Sequence, residues 1–164
     1  MSLTTALPRD RGARLPLRRR LWIRTLVGAA RLLVLLAPHR LRRALTFLSR
    51  GAAPATAAQA LRARGAVLEA SLAMNGMRSC LPRSVAVALL CRSRGVWPTW
   101  CVGVRAAPPF TAHAWVEAEG GLVGEKGRYE SWSRLITVGP HQGRRSRRGP
   151  AASSDRDGAT SAGS

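Results

Sequence analysis

Lysine is nearly missing from this sequence. Of its 27 basic residues only Lys126 is a lysine, and just eight Asp and Glu oppose them, for a formal charge of +19. Such an excess of cations attracts polyanions at long range, which raises nucleic acid or an anionic membrane as partners. Almost exclusive use of arginine, however, is explained more simply by the codon bias of a high-GC genome than by selection for phosphate contacts. The charge also lies mostly at the ends: residues 1–50 hold 12 Arg against one acid, residues 138–164 five Arg against two, and residues 51–137 ten cations against five. No zinc-ligand spacing, aromatic stacking motif or helix-turn-helix pattern accompanies it, so nucleic acid is not an expected partner.

Cysteine is scarce as well. Cys80, Cys91 and Cys101 are odd in number and have no C-x-x-C spacing, which excludes a disulfide framework and a structural zinc site and suits a reducing cytoplasm. No metal and no cofactor are expected. Long apolar runs are also lacking, because Arg24 and Arg31 interrupt the one candidate stretch. A spanning helix needs about 20 mostly apolar residues, and no cleavage site follows the stretch, so neither a membrane span nor a secretory signal is read there.

What is present is enough apolar residue, 46% of 164, for one modest core with appendages. Residues 1–17 read as a disordered leader and residues 139–164, rich in Gly, Ser, Arg and Ala, as a disordered tail that cannot bury enough surface to order itself. Residues 18–76 read as a helical region. A first helix runs over 18–37 until Pro38 breaks it, a second over 40–49 stops at Gly51, and a third over 57–73 starts from Thr56 as N-cap. The first helix has arginines edging its apolar face, so a peripheral membrane contact through residues 18–37 stands beside ordinary packing as its role. Residues 77–138 read as the catalytic core: a helix over 82–94 with Pro82 at its first position, then strands over 97–105, 110–118, 122–125 and 134–138. The fold class expected is α+β, a nucleophile helix packed on an antiparallel sheet.

Chemistry concentrates in that core. Cys80 precedes a helix, where unpaired N–H groups and the positive end of the helix dipole lower a thiol pKa and so raise its nucleophilic thiolate fraction. His113 lies in the alternating strand Ala112-His113-Ala114-Trp115-Val116-Glu117, placed to act as the thiol's base. His39, among arginines, and His141, in the tail, suit that role less. An acid is needed to orient the imidazole. With a three-residue loop over 119–121, Ala118 pairs with Leu122 and Glu125 falls opposite Trp115, a diagonal neighbour of His113. A two-residue loop is expected to set Glu125 against Val116, on the wrong face. Glu117, on the face of His113, is the alternative orienter. Cys91 and Cys101 read as core residues, as do Trp97, Trp100 and Trp115, although the tryptophans could instead floor a cleft.

The run Cys80-Leu81-Pro82-Arg83-Ser84-Val85-Ala86-Val87-Ala88-Leu89-Leu90, then Arg94-Gly95-Val96, Val102-Gly103-Val104 and Ala112-His113-Ala114-Trp115-Val116-Glu117 resembles the transglutaminase-like leader peptidases of lasso-peptide biosynthesis. The resemblance covers about residues 78–126. It implies a papain/transglutaminase-like core and a cysteine peptidase that removes the leader from a ribosomal precursor peptide. A separate leader-recognition protein and a lasso cyclase would be its partners. The family's triad maps onto Cys80, His113 and Glu125, with glutamate where the family usually has aspartate. A transamidase of the same fold, or an inactive basic adaptor binding peptide or membrane, are the alternative functions.

Overall fold

A computed structural model describes residues 16–76, 79–125 and 132–140. The leader before Pro16 and the tail beyond Pro140 lie outside the described residues. Helix α1 spans Leu17–Leu33 and buries Ile23, Val27 and Ala30. Helix α2 spans Pro38–Leu48. The first helix stops at Leu33, short of the expected 37, so Pro38 is not what breaks it. Pro38 is the first residue of the second, where its fixed φ suits the helix and its missing N–H is no loss. Strand β1 (Ala53–Pro54) precedes α3 (Ala57–Ala70), and a short 3-10 turn covers Leu72–Asn75. Thr56 and Gln59 form a reciprocal capping box at the start of α3.

Helix α4 spans Cys80–Arg92, two residues earlier than the sequence suggests. Pro82 is its third residue rather than its first, and it is tolerated because the N–H groups of the first turn have no intrahelical partners to lose. Strands β2 (Val96–Trp97), β3 (Thr99–Arg105), β4 (Ala112–Ala118), β5 (Gly121–Leu122) and β6 (Trp132–Val138) follow. Pro98 divides what reads in the sequence as one strand over 97–105. The short β2 pairs in parallel with β1, an element with no sequence signal, while the remaining four strands form an antiparallel sheet of order β5-β4-β3-β6.

The fold is α+β, as the residue pattern implies. Leu45, Val67, Val85, Trp97, Trp100 and Val116, from helices and strands alike, share one buried cluster. Two tryptophans in it satisfy their indole N–H: Trp97 donates to the Val138 carbonyl at 3.1 Å and Trp100 to Ser84 Oγ at 3.0 Å. Buried indoles without such partners would cost folding energy.

The hairpin after β4 differs from the sequence expectation. Ala118 pairs with Gly121 and Glu117 with Leu122, so the loop is the two-residue Glu119–Gly120, with φ of 53° and 77°. Two consecutive positive φ values mark the turn whose twist matches that of the strands. Glu119 is an unusual residue for the left-handed region, and its carboxylate accepts the Ala57 N–H at 3.1 Å, at the N-terminus of α3. This contact favours the strained conformation, because an anion at a helix N-terminus meets both an unpaired donor and the favourable end of the dipole.

Candidate active site

Cys80 is the first residue of α4 and is partly buried. Its N-cap, Ser79, makes no capping hydrogen bond; the Ser79 hydroxyl donates instead to the Ala73 carbonyl at 2.8 Å. The first turn also carries no acid, so its N–H groups and the helix dipole act on the thiol without a competing anion. The backbone N–H groups of Ala114 and Leu81 face the sulfur and help to lower its pKa. The first of these comes from β4, so the helix start abuts the strand that carries His113.

His113 stands near the start of β4, opposite Gly103 of β3. Its Nε2 lies 3.1 Å from Glu125 Oε2, which leaves Nδ1 as the ring nitrogen available to Cys80. Trp115 stacks beside the imidazole at 6.0 Å and an interplanar angle of 14°, and Trp132 of β6 lies against it at 4.9 Å. With these walls the ring has little freedom to rotate. Gly103 is part of the same construction. A Cβ there would collide with the Ser133 carbonyl oxygen and lie 2.8 Å from the Trp115 ring, so the close approach of β6 and Trp115 requires glycine.

Glu125 reaches His113 by a route the sequence does not announce. Continued, the two-residue register would set it across from Ala114, not from Val116 as the sequence implies, and in either case on the face away from His113. After Leu122, however, only the Val123 N–H still bonds across, to the Val116 carbonyl at 3.1 Å, and Gly124, with φ of 67°, turns the chain out of the strand. Glu125 then meets the imidazole with one oxygen while the other faces Arg64 of α3 at 3.4 Å and Arg83 of α4 at 4.0 Å. A Cβ at Gly124 would lie 2.8 Å from Arg64 Cδ, so a side chain there would push Arg64 from its place beside Glu125. The alternative orienter, Glu117, is buried and is held by the Trp115 indole at 2.8 Å and by Arg134 at 2.9 Å.

The electrostatics follow from these contacts. The hydrogen bond from His113 holds the Cys80 thiol below its ordinary 9.0, with the Ala114 N–H, the imidazolium charge and the Leu81 N–H adding to it against the opposing effect of burial. His113 is raised to about 9 by its hydrogen bonds with Cys80 and then Glu125. Burial pushes the Glu125 carboxyl up, but His113, Arg64 and Arg83 outweigh it and the acid stays below its usual range. The three shifts favour thiolate, imidazolium and carboxylate together. Cys91 and Cys101 differ: burial pushes them up to about 11 and about 12, leaving them as inert core thiols.

The structure thus brings Cys80, His113 and Glu125 together and places Glu117 in a separate contact. His39 lies on the exposed side of α2, and His141 is outside the described residues. Sequence reasoning missed Arg64, Arg83 and Trp132. Arg64 belongs to a helix about 60 residues earlier in the chain, so only tertiary packing reveals its role. Trp132 lies two residues before the position at which the sequence pattern begins the last strand. Among the described residues no cluster of His, Cys, Asp or Glu could hold a metal, and no helix is long and apolar enough to cross a membrane.

A thiol at a helix start, an imidazole on the abutting strand and a carboxylate behind the imidazole are the components of a thiol-dependent acyl-transfer site. The chain belongs to the transglutaminase-like superfamily, whose core model matches residues 23–137. That match takes in part of α1 and all of α2 and α3 as well as nearly all of the sheet, so the helix that supplies Arg64 is part of the family domain. Membership suggests activity of the cysteine peptidase or transamidase type. No curated protein and no solved structure matches the chain.

Proposed function

We propose that the protein is a cysteine peptidase that removes the leader from a ribosomally made precursor peptide during lasso-peptide maturation, with Cys80 as nucleophile, His113 as acid and base, and Glu125 as orienter. The observation that carries the chemistry is the contact of His113 Nε2 with Glu125 Oε2 at 3.1 Å, beside a Cys80 thiol whose pKa His113 lowers. The leader-peptidase assignment rests on the resemblance of the segments around Cys80 and His113. The Cys80 thiolate adds to the carbonyl carbon at the leader–core junction, and N–H groups at the start of α4 are the natural donors to the developing oxyanion. As the C–N bond breaks, His113 gives its proton to the departing amine of the core peptide, leaving the leader as a thioester on Cys80. His113, now neutral, takes a proton from water, whose oxygen displaces the thiolate and releases the leader carboxylate.

The reaction is expected in the cytoplasm, with a separate protein presenting the leader and a cyclase receiving the core peptide. The test is to incubate the full chain with a precursor peptide and its leader-binding protein and to weigh the products. A leader ending in a free carboxylate supports hydrolysis, whereas a leader joined to an amine assigns the site to transamidation. Cys80→Ala should yield neither product. An unchanged precursor with the wild type, together with no labelling of Cys80 by a peptide electrophile, would indicate an inactive adaptor.

A further inference from the structure

Helix α1 has two apolar faces, and the fold uses only one. Ile23, Val27 and Ala30 are buried in the core. On the opposite side Leu17, Leu21 and Leu32, spaced by whole turns, are 71%, 55% and 69% exposed, and Leu35, just past the helix, is 80% exposed. At about 100° per residue Gly28 falls on this stripe, and a Cβ there would meet nothing within 4 Å. Arg24 and Arg31 border the stripe on one side, with Arg18 and the half-exposed Trp22 on the other. The sequence from Pro16 to Gly51 adds no counterion: its charged residues are Arg18, Arg19, Arg20, Arg24, Arg31, Arg40, Arg42, Arg43 and Arg50, and the first acid beyond Pro16 is Glu69.

We propose that this outward face of α1 docks the protein on an anionic lipid bilayer, the helix lying in the plane of the interface. Leucines on the exposed ridge would enter the acyl boundary while the bordering arginines meet lipid phosphates and Trp22 sits at headgroup level. Charge complementarity selects an anionic occupant, and the leucine stripe selects a bilayer over nucleic acid, whose phosphates offer exposed leucines nothing. A transmembrane arrangement is not involved, because α1 keeps its other face in the core. The inference is independent of the role of Cys80.

Co-sedimentation of the full chain with vesicles tests it, using phosphatidylcholine alone or with roughly 30% phosphatidylglycerol. Two variants carry the test: Leu21→Ser with Leu32→Ser, which changes no charge, and Gly28→Glu, which has open space and improves helix propensity. The wild type should bind the anionic vesicles at least about tenfold more tightly than the neutral ones, and each variant should lose about fivefold or more with an unchanged circular dichroism spectrum. Wild-type binding that is absent, or that the leucine changes leave intact, would overturn the proposal. So would variants that bind vesicles normally but lose self-association in light scattering, since the face would then belong to a second copy of the chain.

Discussion

The carboxylate of Glu125 is divided between two tasks: Oε2 lies 3.1 Å from His113 Nε2, and Oε1 faces Arg64 at 3.4 Å. The acid therefore links α3 to the imidazole on β4. Its neighbour in the same hairpin, Glu119, makes a second link by accepting the Ala57 N–H. Between them these two glutamates tie α3 to the part of the sheet that carries the site.

If Glu125 orients His113 and stabilises its cation, Glu125→Gln should keep the packing yet slow precursor cleavage by about 10²-fold or more. The corresponding aspartate-to-asparagine change in a serine protease costs about 10⁴, and a pre-formed thiolate–imidazolium pair depends on the acid less. Glu125→Asp keeps the charge but withdraws it by one methylene, and should fall between the wild type and the glutamine variant. Glu117→Gln should disturb mainly the contacts to Trp115 and Arg134. Cleavage rates for the three, each checked for folding, decide the matter; a full-rate Glu125→Gln beside a dead Glu117→Gln would move the role to Glu117.

The three cysteines should separate cleanly. Cys80→Ala should remove all cleavage while the protein still folds, since the thiol is only partly buried at a helix start, with thermal stability lowered only by the loss of its pairing with His113. Cys91→Ala and Cys101→Ala should keep activity and cost about 1 kcal/mol each, the usual scale for a small loss of core volume. An active, folded Cys80→Ala would sink the nucleophile assignment.

Much of this architecture can be read from the residues because the local signals agree with one another. Thr56 with Gln59 announces α3, the alternation through Trp115 announces β4, and Cys80 ahead of an apolar helical run announces the helix start. That Cys80 and His113 meet is legible as a pairing of residue types, whereas Glu125 is reached from the sequence only through an incorrect turn. A three-residue loop is the one that puts the acid on the face of His113 by register alone. The actual two-residue turn is set by the pairing of Glu117 with Leu122, and it is Gly124 that redirects the acid afterwards. A single glycine leaving a strand has no periodicity to betray it. The positions of Arg64 and Trp132 likewise depend on packing between distant segments.

Gly103 offers a test of how the imidazole is walled in. A methyl group there points at the Ser133 carbonyl and the Trp115 ring, and the β3–β6 register shifts between Val102 and Gly103. Gly103→Ala should therefore destabilise the fold by about 3 kcal/mol, at the upper end for overpacking, as read from denaturant melts. Gly95→Ala is a useful control: its φ is 79° but a Cβ there meets nothing within 4 Å, so only backbone strain of about 1 kcal/mol is expected. Equal losses for the two would remove the steric argument.

The last prediction concerns pH. His113 is raised to about 9 by Cys80 first and Glu125 second. Its contribution to stability is therefore fully present below the ordinary 6.5 and is lost as the pH rises through about 9. Cys80 has the opposite sense: its pKa is lowered from 9.0, so its contribution is present above that ordinary value and is lost as the pH falls through the lowered one. Between the two folded values the site holds thiolate and imidazolium together, which defines the window for acylation, with an alkaline limb near 9. Iodoacetamide alkylation of the folded protein reads the thiolate directly, since burial pushes Cys91 and Cys101 up to about 11 and about 12 and keeps them silent. Cys80 should be alkylated below its ordinary 9.0, and His113→Ala, by removing the largest cause of the shift, should move its profile back toward that value. A wild-type profile already centred on that ordinary value would mean that the pair does not form in solution, whatever the distance between the two side chains.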